Sequence, residues 1–154
     1  MVQMLLQVTG AFLAVVTLSV MFGVPRKFII YSGLGGAIGW MIYLIGEYMG
    51  AGIVMSTFIA ALFASLTAHT CARLLKSPVT VFLIPGILPL VPGLGMYRIA
   101  YNFVNGDTKQ AGFYFLQTME IAGMIALAIF VMDSAFRMLQ DRRGKQGQNL
   151  RKQP

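Results

Sequence analysis

Charge is what this 154-residue chain has least of. Only 11% of its residues are charged and 57% are apolar, against roughly 25% and 45–50% in soluble domains. It has a single cysteine, Cys71, which excludes an intramolecular disulfide and any multi-cysteine metal site. It also has a single histidine, His69. One His and one Cys do not fill a tetrahedral zinc shell, and no Ser/His/Asp or Cys/His constellation of plausible geometry can be assembled. We therefore expect no catalytic residues, no metal, no cofactor and no enzymatic activity.

The few charges are spaced so that long uncharged runs lie between them. Residues 2–25 contain none, 28–46 none, 48–72 only His69, 77–97 none, and 111–132 only Glu120. Each run is long enough for the ~20 residues that carry a helix across about 30 Å of hydrocarbon. A soluble helical bundle would repeat a polar face every 3.6 residues, and these runs do not. The pattern predicts an all-α integral membrane protein of about five transmembrane helices over residues 1–136, followed by a basic cytoplasmic tail over 137–154. The first run has no basic residues before it and exceeds a signal peptide's apolar core, so it is expected to stay as a membrane anchor.

Lys and Arg set the expected orientation. Arg26, Lys27, Arg73, Lys76, Arg137, Arg142, Arg143, Lys145, Arg151 and Lys152 fall on one side of a five-span topology, and only Arg98 and Lys109 on the other. The positive-inside rule then places the amino terminus outside and the carboxyl terminus in the cytoplasm, in a multi-pass plasma membrane protein. Much of the net charge of +7 belongs to the tail. Contact with an anionic leaflet or plain solvation accounts for that tail, and no nucleic-acid partner is expected.

Span four contains what a continuous helix would not. FLIPGILPLVPGLGMY, residues 82–97, carries Pro85, Pro89 and Pro92 with Gly86, Gly93 and Gly95. An interior proline removes its own amide and clashes with the carbonyl four residues back, which frees the carbonyls of Val81, Pro85 and Leu88. Within hydrocarbon, such groups need protein or a polar cavity beside them. Broken membrane helices of this kind line substrate and ion sites, so Pro85, Gly86, Pro89, Pro92, Gly93 and Tyr97 are the candidate substrate-binding residues.

Glycines form a second pattern. Ser32 to Gly36, Gly35 to Gly39 and Gly46 to Gly50 are small-xxx-small spacings that allow close helix approach. GLGGAIG is not a dinucleotide fingerprint, because Ile38 stands where the third glycine belongs and no strand precedes it.

Glu120 is expected near the middle of span five. A charge there costs about 2.5–3.5 kcal/mol unless it meets a partner or cavity, so Glu120 is the candidate proton-coupling residue, with an interhelical hydrogen bond as the alternative. His69 with Arg73, and Asp133 with Arg137, are expected to form an interfacial charge cluster or to snorkel separately to the headgroups.

VPRK after span one, GGAIGW in span two, MSTFIAAL in span three and LIPGILPLVPGLGMY in span four together resemble the carboxyl-terminal half of the threonine/serine exporter (ThrE) family. Some members of that family are one long chain, and others are split into two proteins whose smaller, membrane-only partner looks like this one. The resemblance implies export of a small hydrophilic metabolite, either an amino acid such as threonine or serine or a dicarboxylate such as succinate. It further implies a larger membrane subunit of the same family as partner. The small-residue faces of span two also allow a homo-oligomer, and a non-transporting membrane subunit that stabilises or localises a partner protein is the alternative function. The expected mechanism is alternating access around the span-four elbow, with freed carbonyls meeting ammonium or hydroxyl groups and the amides of the second half-helix meeting a carboxylate.

Overall fold

The computed structural model describes the backbone of residues 2–151 and the side chains of residues 2–138. The described residues are helices joined by short turns: α1 (Val2–Met21), α2 (Arg26–Tyr48), α3 (Ile53–Leu74), α4 (Thr80–Ile87), a 3₁₀ turn (Leu88–Leu90), α5 (Gly93–Val104) and α6 (Thr108–Arg151). Four helices are long and apolar enough to cross a bilayer, and α4 with its 3₁₀ turn forms with α5 a fifth, bent by 48°. The expected five spans with a broken fourth are therefore present. The helix passes through position 137 without a break, so the basic tail continues α6; its side chains beyond Met138 lie outside the described residues.

Small residues let these helices pack closely. α2 lies between α1, α3 and α4. A Cβ at Gly33 or Gly36 would collide with Phe12, Val16 or Val15 of α1, and one at Gly46 with Ser56 of α3. Gly39 faces Ala64, and Gly86 lies against the α2 backbone at Gly36 and Ser32. The glycine spacings thus act in packing, with one correction. Gly50 does not pack with Gly46 but turns the chain between α2 and α3, with φ of 79° in a region that favours glycine. On α3 the buried face is Ala60, Ala61, Ala64, Ala68 and Ala72 with Ser56, Thr57, Ser65 and His69.

One end of the bundle gathers the basic residues. The α1–α2 turn (residues 22–25) shares a cavity of about 280 Å³ with Thr80, Val81, Ile84 and Pro85. At the same end, His69 stacks on Phe136 at 4.5 Å, and Arg73 lies over that ring and donates to the Phe136 carbonyl at 3.2 Å. Arg137 pairs with Asp133 at 2.8 Å, and His69 and Asp133 line a common cavity. The two pairs therefore lie at one level on either side of Phe136, and the ion pair shown among them lies within α6.

The opposite end is built differently. α6 is longer than its neighbours, and its first turns meet α5: Arg98 lies over the Tyr114 ring, and Phe115, Thr118 and Met119 share an apolar cavity with Met96, Ile99 and Phe103. No residue of α5 is buried, and Leu94, Met96, Tyr97, Tyr101, Phe103 and Val104 are all exposed. Thr118 of α6 is buried where it meets Gly95.

Candidate functional site

Pro85 and Gly86 sit inside the bundle. Pro85 is fully buried, Gly86 touches the α2 backbone, and the rings of Phe82 and Phe28 meet edge to face at 5.4 Å beside them. The Val81 carbonyl that Pro85 frees is not left open, because Ser32 Oγ of α2 donates to it at 3.3 Å. Leu88 offers its carbonyl to the Val91 amide at 3.1 Å. Two of the three carbonyls expected to meet substrate are thus already engaged, one by a serine on a neighbouring helix and one by the 3₁₀ turn that ends α4. Freed backbone groups at membrane depth find protein partners first.

Pro89, Pro92 and Gly93 form the second group. They close a cavity of about 260 Å³ with Trp40 and Tyr43 of α2, Ile53 and Thr57 of α3, and Ile121 of α6. Pro92 caps α5 and Gly93 begins it, as expected for a half-helix starting at that point. A helix start leaves its first amides without intrahelical acceptors and carries a partial positive charge, so the α5 start presents a positive end to this cavity. Tyr97 stands apart. It is 62% exposed, stacks on Tyr101 at 6.0 Å and does not line the elbow cavity. The six elbow positions therefore divide into a packed pair, a cavity-lining trio and one outward tyrosine.

Glu120 is exposed on α6, next to the Ile121 that lines the cavity. Two contacts fix its level. Phe136 meets His69, while Ile121 shares the cavity with Ile53 and Thr57, so α6 runs parallel to α3 and Glu120 stands beside the first turn of α3. At 1.5 Å per residue it lies roughly 24 Å along α6 from the Phe136 contact. Within the candidate span Thr108–Met138 it stands near the middle, and because α6 is longer than α3 that level coincides with the start of α3.

The residue that sequence reasoning passed over is Glu47. It had served only to mark the end of an uncharged run. Glu47 lies in the last turn of α2, which holds no basic residue. Its Oε1 is buried and, among the described residues, has no hydrogen-bond partner; the same holds for Ser56 Oγ and Ser65 Oγ on α3. The available signal was a carboxylate at the negative end of a helix with no neutralising Lys or Arg in that turn.

The chain has clear relatives. Residues 7–135 match the family model described as Threonine/Serine exporter, ThrE. Over 108 residues the chain is 29% identical to a probable threonine/serine exporter of Mycobacterium tuberculosis (strain ATCC 25618 / H37Rv), an alignment covering 70% of this chain and 20% of that protein. The chain thus spans about a fifth of the length of this curated relative. No solved structure matches it. With a family model covering nearly all of the helical bundle, and the broken span at the centre of the matched region, the chain belongs to the threonine/serine exporter family.

Proposed function

We propose that this chain is a membrane subunit of a secondary transporter that exports a small hydrophilic metabolite, threonine- or serine-like or a dicarboxylate such as succinate, and is not an enzyme. The observation that carries this is the broken span: α5 starts at Pro92–Gly93 and opens on a cavity walled by three other helices. A helix start aimed at a cavity suits a substrate carboxylate, which both candidate substrate classes possess. Family membership supports the export direction.

The chain works with a partner, a larger membrane subunit of the same family, in the plasma membrane. Support comes from α5, which buries no residue and exposes Leu94, Met96, Phe103 and Val104. The basic end, holding Arg26, Lys27, Arg73, Lys76 and Arg137, is the cytoplasmic one, with the amino terminus outside. The substrate enters while the elbow cavity is open to that side and leaves after α5 and the start of α6 have moved relative to α4. Glu120, at the outer end of α3, is the candidate proton-coupling group, and a polar contact with the partner subunit is its alternative role.

Uptake and efflux in proteoliposomes, with and without the candidate partner chain, test the proposal. Counterflow of labelled threonine or succinate that requires this chain is the expected result. Unchanged flux in vesicles holding only the partner would reduce this chain to a stabilising subunit.

A further inference from the structure

We propose that Glu47 and Ser56, on the facing ends of α2 and α3, form a subsite for a small monocationic group, either the ammonium of a zwitterionic substrate or an alkali cation. The subsite deepens the exporter reading and rests on it only in its substrate arm. Three independent observations converge there. First, Glu47 Oε1 is buried without a hydrogen-bond partner among the described residues. A buried carboxylate oxygen is disfavoured unless something pairs with it. Second, Ser56 is 0% exposed and its Oγ is also unpartnered, although Thr57 beside it donates back to the Ile53 carbonyl at 2.7 Å. A helix serine can make that backbone bond, so the lone hydroxyl of Ser56 is an unused oxygen held against α2 at Gly46, one residue from Glu47. Third, Glu47 stands in the last turn of α2, where the helix dipole is negative and attracts cations, and no Lys or Arg is present in that turn.

The place in the fold gives the subsite its use. Tyr43, one turn before Glu47 on the same face of α2, lines the elbow cavity, whose other wall is the start of α5. Glu47 does not line the cavity but stands one turn beyond Tyr43, so the cavity has the positive helix start at Gly93 in its wall and the negative end of α2 one turn away. That polarity matches an amino acid, with its carboxylate toward α5 and its ammonium toward α2. A dicarboxylate would need a co-bound cation to sit in the same orientation.

The test uses the full chain purified in detergent, following the thermal unfolding midpoint in choline chloride, in choline chloride with L-threonine, and in sodium chloride. Wild type should be stabilised by threonine or by sodium relative to choline, since a ligand that binds only the folded state raises the midpoint by mass action. A response to threonine without sodium identifies the ammonium source, and a response to sodium alone the alkali source. Glu47→Gln and Ser56→Ala should weaken the apparent affinity roughly tenfold or more, as expected for losing a hydrogen bond to a charged group. Glu47→Lys should raise the baseline midpoint, because a cation suits the helix end, and should abolish the response. The proposal is overturned if neither ligand stabilises wild type, if the Glu47 variants respond as wild type does, or if Glu47→Gln and Glu47→Lys both lower the baseline. Threonine efflux measured in parallel, in proteoliposomes that hold this chain together with its partner subunit, separates the two readings. Efflux by wild type with unresponsive midpoints removes only this subsite, whereas threonine stabilisation without efflux of any substrate removes the exporter reading.

Discussion

The two halves of the broken span are built as opposites. In α4, Phe82, Pro85 and Gly86 are buried against α2 and Ser32 ties down the Val81 carbonyl, whereas α5 buries no residue and packs along α6. Between them, a three-residue 3₁₀ turn that contains Pro89, followed by Val91 and Pro92, replaces a continuous helix. The contrast teaches that prolines in one motif take different parts. Pro85 lies inside a helix whose lost bond has been repaired by a neighbour, while Pro89 and Pro92 mark a joint whose far side is held by one helix only.

The largest effect should come from erasing the joint. Pro92→Ala with Gly93→Ala replaces two residues that disfavour helix by about 3 and 1 kcal/mol relative to alanine. Insertion should be preserved and efflux abolished, and proteoliposome efflux at matched protein density checks this. Normal efflux by the double variant would make α4 and α5 functionally alike.

Glu120→Gln comes next, since it removes the ionisable group beside the joint while keeping its size. Efflux driven by a pH gradient should be lost while substrate exchange is retained, and Glu120→Asp should keep part of the coupling. Wild-type pH dependence in the Gln variant would make Glu120 a polar contact between helices.

On the fixed side, Gly36→Leu drives a side chain into Val15 and should destabilise by about 1–3 kcal/mol or more. Gly123→Leu, on α6 where nothing lies within 4 Å, should stay within about 0.5 kcal/mol. Unfolding midpoints in detergent compare the two, and equal losses would break the distinction between packed and open glycines. Ser32→Ala sharpens the same point more gently. It strands the Val81 carbonyl and should cost about 1–3 kcal/mol, with increased hydrogen exchange confined to α4. Protection in α4 equal to wild type would show that the serine bond does not hold that half in place.

Much of this was legible in the residues. Gaps between charges located every span, because a bilayer excludes unpaired charge, and the proline–glycine run located the joint. What escaped were properties set by neighbours. That Val81's carbonyl would be taken by Ser32 depends on α2 passing close to α4 at Gly86, which no local rule states. The level of Glu120 relative to α3 was not legible, because α6 overruns α3 by several turns. Glu47 was passed over because, in sequence, it is one charge at the edge of a run. Its distinction is a buried, unpartnered carboxyl oxygen, one residue from the Gly46 against which the unpartnered Ser56 hydroxyl lies.

Alternating access at the joint is the central claim, and cysteine accessibility in the elbow cavity tests it most directly. Thr57 is 2% exposed and lines that cavity, so Thr57→Cys in a Cys71→Ser background reports when water reaches it. A membrane-impermeant thiol reagent should modify this cysteine from either face of oriented proteoliposomes containing the partner subunit, with substrate shifting the ratio of the two rates. Modification from one face only, at a rate that substrate leaves unchanged, would contradict the claim.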